Sequence, residues 1–123
     1  MITLDTGALM ALERRNARIT LALRVAQREH APIVVPAVVL AEWWRGPPRP
    51  LMRGFLAGVT VVPVDERVAR VAGEAMAMVR QATTIDALVM ATAALHGGVV
   101  YTTDVDDLER LQSHFRSVRV LSV

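Results

Sequence analysis

No cysteine occurs among the 123 residues, so no disulfide can staple the fold and no thiolate can serve as nucleophile or metal ligand. Lysine is also missing. All 14 basic residues are arginine, against 12 acids, for a net charge of +2. A phospho-accepting receiver domain needs a lysine beside its acceptor aspartate, so that class is excluded. An aspartyl-phosphate phosphatase is disfavoured for the same reason, and because no second aspartate stands two residues after Asp5. The opening MITLDTGALM carries no basic run ahead of an apolar core and does not read as a signal peptide. The charge-free runs, Ala31 to Ala41 and the one between Asp86 and Asp104, are broken by proline or by Gly97-Gly98. Neither reaches the about 20 apolar residues of a membrane span. Internal repeats, low-complexity tracts and long linkers are absent as well. These absences lead us to expect one soluble, cytoplasmic domain, large enough to bury roughly two-thirds of its unfolded surface.

What is present is apolar. Hydrophobic residues make up 53% of the chain and mean hydropathy is positive, high for a small soluble monomer, so a buried partner surface is expected. Arginine forks suit phosphate and carboxylate alike, leaving nucleic acid and an acidic protein both open as partners.

Ile2 to Leu4 is a short apolar strand running into Asp5. Helical spacing follows over Gly7 to Arg15 and Ile19 to Glu29, separated at Asn16, giving two helices or one bent one. A strand at Ile33 to Val35 leads through Pro36 into a helix ending near Arg45, where Gly46, Pro47 and Pro48 stop it. A short helix at Pro50 to Ala57, a strand at Val59 to Val62 and a helix at Asp65 to Arg80 come next. Thr83 to Leu108 then reads as helix, turn, strand (Val99 to Thr102) and helix start, with acids at the joints. A helix to His114 and a strand at Val118 to Leu121 close the chain. Strands alternate with helices and lack period-two polarity, the pattern of an α/β fold whose parallel sheet is covered on both faces.

In such a sheet the functional groups collect beyond the carboxyl ends of the strands, where strand order reverses. Asp5 and Asp104 follow strands, Asp86 opens a helix and Glu42 lies within one. Carboxylates gathered in one cleft repel one another unless a cation holds them ionised. Oxygen-only ligands favour magnesium or manganese, which can activate water for phosphodiester cleavage. Removing Asp5 should then relieve repulsion and leave the fold nearly intact. Each acid also has a purely structural reading. Asp86 stands three residues after Thr83, at capping-box spacing. Asp104 and Asp5 can cap the helices that follow them, and Glu42 can pair with Arg45. His30, His96 and His114 are isolated near helix ends and form no catalytic set. Met76, Met78 and Met90 read as core filler. Trp43 and Trp44 cannot both face one core, so one is left for a partner contact. Arg45, Arg49 and Arg53 form a basic cluster for phosphate, the carboxylates of an acidic partner or solvent.

The segments ITLDTGAL, VVLAEWWRG, TTIDALVMATAAL and VVYTTDVDDLERL together resemble the PIN-domain ribonucleases, in particular the VapC toxins of VapBC toxin-antitoxin pairs. The resemblance implies a single PIN domain over residues 1–123, with a parallel five-stranded sheet of order 3-2-1-4-5 flanked by helices. It further implies magnesium- or manganese-dependent endoribonuclease activity leaving 5′-phosphate and 3′-hydroxyl ends, a homodimer, and inhibition by a cognate antitoxin. Asp5, Glu42, Asp86 and Asp104 match the family's four metal-binding acids. Thr6 and Thr102 match hydroxyl positions lining the site, and Asp107 a further, less uniform acid. Asp106 falls outside the motif. An additional acid sometimes found near Asp86 is missing here, which leaves one or two ions open. The alternative is a PIN-like domain that has lost activity and only binds RNA or a protein.

Overall fold

The computed structural model describes residues 1–96 and 98–123; of the Gly97-Gly98 turn read from the sequence, Gly97 lies outside the described residues. The five strands β1 (Ile2–Leu4), β2 (Ile33–Pro36), β3 (Thr60–Val62), β4 (Val99–Thr102) and β5 (Arg119–Ser122) form one sheet. All its pairings are parallel and its order is β3-β2-β1-β4-β5, as expected. The chain winds outward through β2 and β3, then returns to add β4 on the other side of β1. The switch point therefore lies between β1 and β4, where Leu4 is in register with Tyr101.

Helices α1 (Thr6–Glu13), α2 (Ala17–Arg28), α3 (Ala37–Trp44), α4 (Pro50–Ala57), α5 (Glu66–Met78), α6 (Thr84–His96) and α7 (Val105–Gln112) fill the connections. The break at Asn16 separates two helices. Arg15 sits in the left-handed region at φ 57° and Asn16 Oδ1 accepts from the Ile19 N–H, starting α2 afresh. Asp65 caps α5 in the same way through Val68 N–H. That helix ends at Met78 and not at Arg80, because Val79 turns extended at φ −119°, ψ 94°. No glycine or proline marks this end.

Helix α6 is apolar around its circumference and accordingly central, touching α3, α5, α7 and the sheet. Ala87, Val89, Met90, Ala91 and Ala93 are buried along it, the alanines allowing close approach to its neighbours. Around it, Leu4, Leu9, Val35, Val39, Leu108 and Leu111 complete the core. Each such side chain contributes about 1.5 to 3 kcal/mol by leaving water. Met90 belongs to that core, but Met78 does not: it is 74% exposed on the last turn of α5. No described helix is long and apolar enough to cross a membrane.

Candidate functional site

The carboxyl ends of β1 and β4 open onto a cleft of about 430 Å³ lined by Asp5, Glu42, Asp86 and Asp104. All four acids singled out in the sequence thus meet in one place. Three arrive at helix starts. Asp5 is the N-cap of α1, Asp86 lies in the first turn of α6, and Asp104 is the N-cap of α7. The positive ends of three helix dipoles therefore converge on the cleft and offset part of the carboxylate repulsion. Glu42 comes across from α3, held by the Thr6 hydroxyl, which donates to its Oε1 at 2.6 Å.

The structural readings of these acids separate here. Asp5 does cap its helix: Oδ1 accepts from Ala8 N–H at 2.8 Å, and Oδ2 accepts from the buried Thr102 hydroxyl. An alanine at position 5 would lose the cap, worth about 1 kcal/mol, and strand the Thr102 proton. The expectation that removing Asp5 leaves the fold nearly intact is corrected on that ground. Asp104 makes no side-chain cap bond, although its N–H donates to Thr102 Oγ1. Thr83 Oγ1 accepts from Asp86 N–H, half of the reciprocal capping box. Glu42 forms no ion pair with Arg45.

Burial, the largest influence, pushes the Asp5 carboxyl up to about 6; the bonds from Thr102 and Ala8 pull it down, and the charges of Asp104 and Asp86 raise it further. Asp86 is raised too, first by burial, with Thr83 opposing and Asp107, Asp104 and Glu42 adding repulsion. Among the described residues no cationic side chain lines this cleft. An oxygen-only donor set under mutual repulsion fits a hard divalent cation. Among the described residues no three acids stand close enough to share one ion as placed. Closing them requires side-chain rotation, and exposed, uncapped Asp104 is free to rotate.

Of the accessory residues, Thr6 lines the cleft as expected. Thr102 is fully buried beneath it, tying Asp5 to the Asp104 backbone, and Thr103 takes the lining position instead. Asp107 does not line the cleft; it pairs with Arg110, 3.1 Å off, in an adjoining depression that also takes in Thr103, Asp104 and Asp106. Thr83, Thr103 and Gly7 were not anticipated from the sequence. A Cβ on Gly7 would overlap Thr103 Oγ1, so glycine is what allows α1 to start against the β4–α7 loop. Of the two tryptophans, Trp43 is buried edge-on against Phe55 and Trp44 is half-buried.

Comparison with known proteins bears on the fold and the family. VapBC2 from Rickettsia felis, solved bound to a DNA fragment from its promoter, superposes with a TM-score of 0.79 at 15% identity, covering 100% of this chain and 99% of that one. DNA-bound VapBC from Salmonella typhimurium gives 0.77 at 16% identity, covering 98% and 96%. FitAcB from Neisseria gonorrhoeae gives 0.73 at 22% identity, again covering 98% and 96%. These likenesses concern the fold. No curated protein matches the sequence. The model of the PIN domain family matches residues 2–113, nearly the whole chain. Because that match spans most of the chain, the chain belongs to the PIN domain family.

Proposed function

We propose that the chain is a magnesium- or manganese-dependent endoribonuclease and the toxin of a toxin-antitoxin pair. The observation that carries this reading is the gathering, in a PIN domain, of Asp5, Glu42, Asp86 and Asp104 in one cleft without a cationic side chain among the described residues. These four would hold the ion. Once bound, it supplies charge neutralisation at the phosphate and lowers the pKa of water.

The chain's own residues do the rest. Thr102 and Ala8 N–H fix Asp5 so that its carboxylate cannot turn away. Thr6 aims Glu42, which is placed to take a proton from attacking water. A bond from the water oxygen to phosphorus then forms as the P–O3′ bond breaks, and the departing O3′ takes a proton from solvent, leaving 5′-phosphate and 3′-hydroxyl ends. Thr83 and Thr103 offer hydroxyls at the cleft rim for the strand.

An antitoxin partner is supported by the similar solved complexes, among them a toxin-antitoxin complex from Klebsiella pneumoniae. Exposed apolar residues such as Leu21 and Met78 are consistent with surfaces buried in a homodimer or by that partner. We place the activity in the cytoplasm.

The splayed acids favour one rival, a PIN-like domain that only binds RNA or protein. One experiment separates the two. Purified, antitoxin-free protein should cut members of a broad RNA panel with magnesium or manganese and not with chelator. If the whole panel stays intact with both metals, the nuclease reading fails. A short reading frame encoding an antitoxin just upstream would support the toxin assignment.

A further inference from the structure

Beside the acid cleft lies a second pocket of about 680 Å³, and the two share Thr6, Met10 and Glu42 as a common wall. The rest of its lining is Glu13, Arg14, Trp43, Arg45 and Arg49. Charge changes sign across that wall. On one side only acids carry charge; on the other, three arginines face Glu13.

The three arginines are not equivalent. Arg49 is fully engaged: its Nε and Nη2 both donate to the Glu13 carboxylate, and Nη2 also donates to the Trp43 carbonyl at 2.9 Å. Its guanidinium lies 5.8 Å from the Trp43 ring centroid. Glu13 is neutralised by this interaction. Arg14 and Arg45 form no ion pair among the described residues, and both are exposed. Trp43 Nε1 is buried and donates no hydrogen bond. The pocket thus presents two uncommitted guanidinium forks over a rigid floor.

Guanidinium forks match phosphate and carboxylate equally well, so the neighbouring cleft decides between them. An acidic peptide seated here would meet Glu42 and, beyond it, three more carboxylates. A polynucleotide carries a phosphate at every residue, so one strand can place a phosphate among the acids with their cation and the next over Arg14 and Arg45. Only the polynucleotide gains on both sides of the wall.

We propose that this pocket is the subsite for the phosphate flanking the scissile one on single-stranded RNA, gripped by Arg14 and Arg45, with the Glu13–Arg49 pair as its floor. The assignment rests on the nuclease reading above for what occupies the acid cleft. It splits the Arg45, Arg49 and Arg53 cluster by task, since Arg49 is structural and Arg53 does not line the pocket.

The test uses a short mixed-sequence, fluorescently labelled single-stranded RNA, with Asp104→Asn as background so that bound strand is not cut. Adding Arg14→Ala and Arg45→Ala should weaken binding about tenfold in magnesium. It should also flatten the dependence of log K on log salt by about 0.7, since one phosphate is no longer neutralised. Arg53→Ala, which removes one positive charge from a site off the pocket, should change neither. With Asp104 intact, the double variant should raise KM for the oligomer about tenfold and leave cleavage of the dinucleotide UpU, which has no flanking phosphate, at the unsubstituted rate. Both arginines are unpaired, so melting temperature should hold, and the Arg14→Gln, Arg45→Gln pair should behave alike. Unchanged affinity and salt slope in both double variants overturn the subsite, as does an equal loss from Arg53→Ala. RNA binding retained while binding of an acidic peptide disappears assigns the pocket to protein and also overturns it. If the unsubstituted chain cuts no RNA yet binds it through Arg14 and Arg45, the nuclease reading falls, and the pocket stands as an RNA phosphate site with no scissile neighbour. If it cuts and the double variants bind and cut as well, the subsite falls alone.

Discussion

Two acids on opposite sides of the Thr6–Met10–Glu42 wall have opposite fates. Glu13 meets a cation: Arg49 grips it with two nitrogens, and that bond, ahead of any other influence, holds its carboxyl below the usual carboxylate range. Asp5 meets none. It is buried, bonded only to a hydroxyl and a backbone N–H, crowded by Asp104 and Asp86, and pushed up to about 6. An acid whose task is to hold two elements together is given its counter-charge by the fold. One whose task is to bind something else is left without it, and the protein is less stable for that until the ligand arrives.

The largest expected effect lies in the cleft. Asp104→Asn should lower cleavage on the order of a thousand-fold, about 4 kcal/mol of transition-state stabilisation. Its melting temperature should stay within about a degree, because the Asp104 side chain makes no cap bond. Single-turnover cleavage and a thermal melt on the same preparation check both halves. A variant that loses stability as much as activity would place Asp104 with Glu13, among the structural acids.

Asp5→Asn addresses the stability side. The folded carboxyl titrates near 6 and the unfolded one near 3.8. As pH rises, the unfolded chain releases its proton first, so metal-free stability declines between about pH 4 and about pH 6 and stays reduced above. A difference of that size between the two states corresponds to about 2 to 3 kcal/mol. Asparagine keeps the cap on α1 and removes the charge but turns an amide NH2 toward the Thr102 hydroxyl, which loses its acceptor, so the variant should gain about 1 kcal/mol at pH 8, lose about 1 to 2 kcal/mol near pH 4, and lose cleavage. Denaturant melts of chelator-treated protein across this range test it. For the same reason, metal binding by the unsubstituted chain should weaken as pH falls below about 6, releasing protons on binding. A stability profile unchanged by Asp5→Asn would mean that the acid is not under strain.

Glu13 carries the opposite sign. Its folded carboxyl lies below its unfolded value of 4.5, so its contribution is present above that pH and is lost as pH falls through the folded value. Arg49→Ala should cost about 1 kcal/mol at neutral pH, since the pair is partly exposed, and the cost should shrink in acid. Cleavage should fall by only a few-fold, through loosening of α3 and thus of Glu42. A thousand-fold loss would instead make the Glu13–Arg49 pair part of the catalytic apparatus.

How far this contrast could be read without coordinates depends on where each partner sits in the chain. Asp5, Asp86 and Asp104 were legible because each stands at a strand end or helix start, positions that local pattern marks. Their convergence came from the family resemblance and not from spacing. The partners were another matter. Arg45, Arg49 and Arg53 look alike in sequence, and Glu13, which singles out Arg49, lies 36 residues earlier. Glu42 stands three residues from Arg45 but is bonded to Thr6, also 36 residues away. Thr102 and Thr103 are adjacent and identical, so only the point where β4 ends, after Thr102, decides which is buried and which lines the cleft. Helix interiors followed apolar periodicity, whereas the end of α5 depends on a turn at Val79 that no breaker announces.

Asp107 falls between the two kinds of acid, and the smallest expected effect belongs to it. Like Glu13 it has an arginine, Arg110 at 3.1 Å, but both side chains are about half exposed, so the pair is worth a few tenths of a kcal/mol. Like Asp104 it bears on the site, because its charge heads those that raise Asp86. It does not line the acid cleft. If Asp107 acts only through that field, Asp107→Asn removes repulsion from Asp86 and also removes negative charge that attracts the cation. The two influences oppose each other, so magnesium affinity by calorimetry should change less than about threefold, under about 0.7 kcal/mol. The effect should diminish with added salt, as a field through water does. Asp106→Asn, on the exposed neighbour, should give no change. A loss of cleavage from Asp107→Asn comparable to that from Asp104→Asn, and insensitive to salt, would mean that α7 turns Asp107 inward when the ion binds. The boundary between paired and unpaired acids would then move with the ligand.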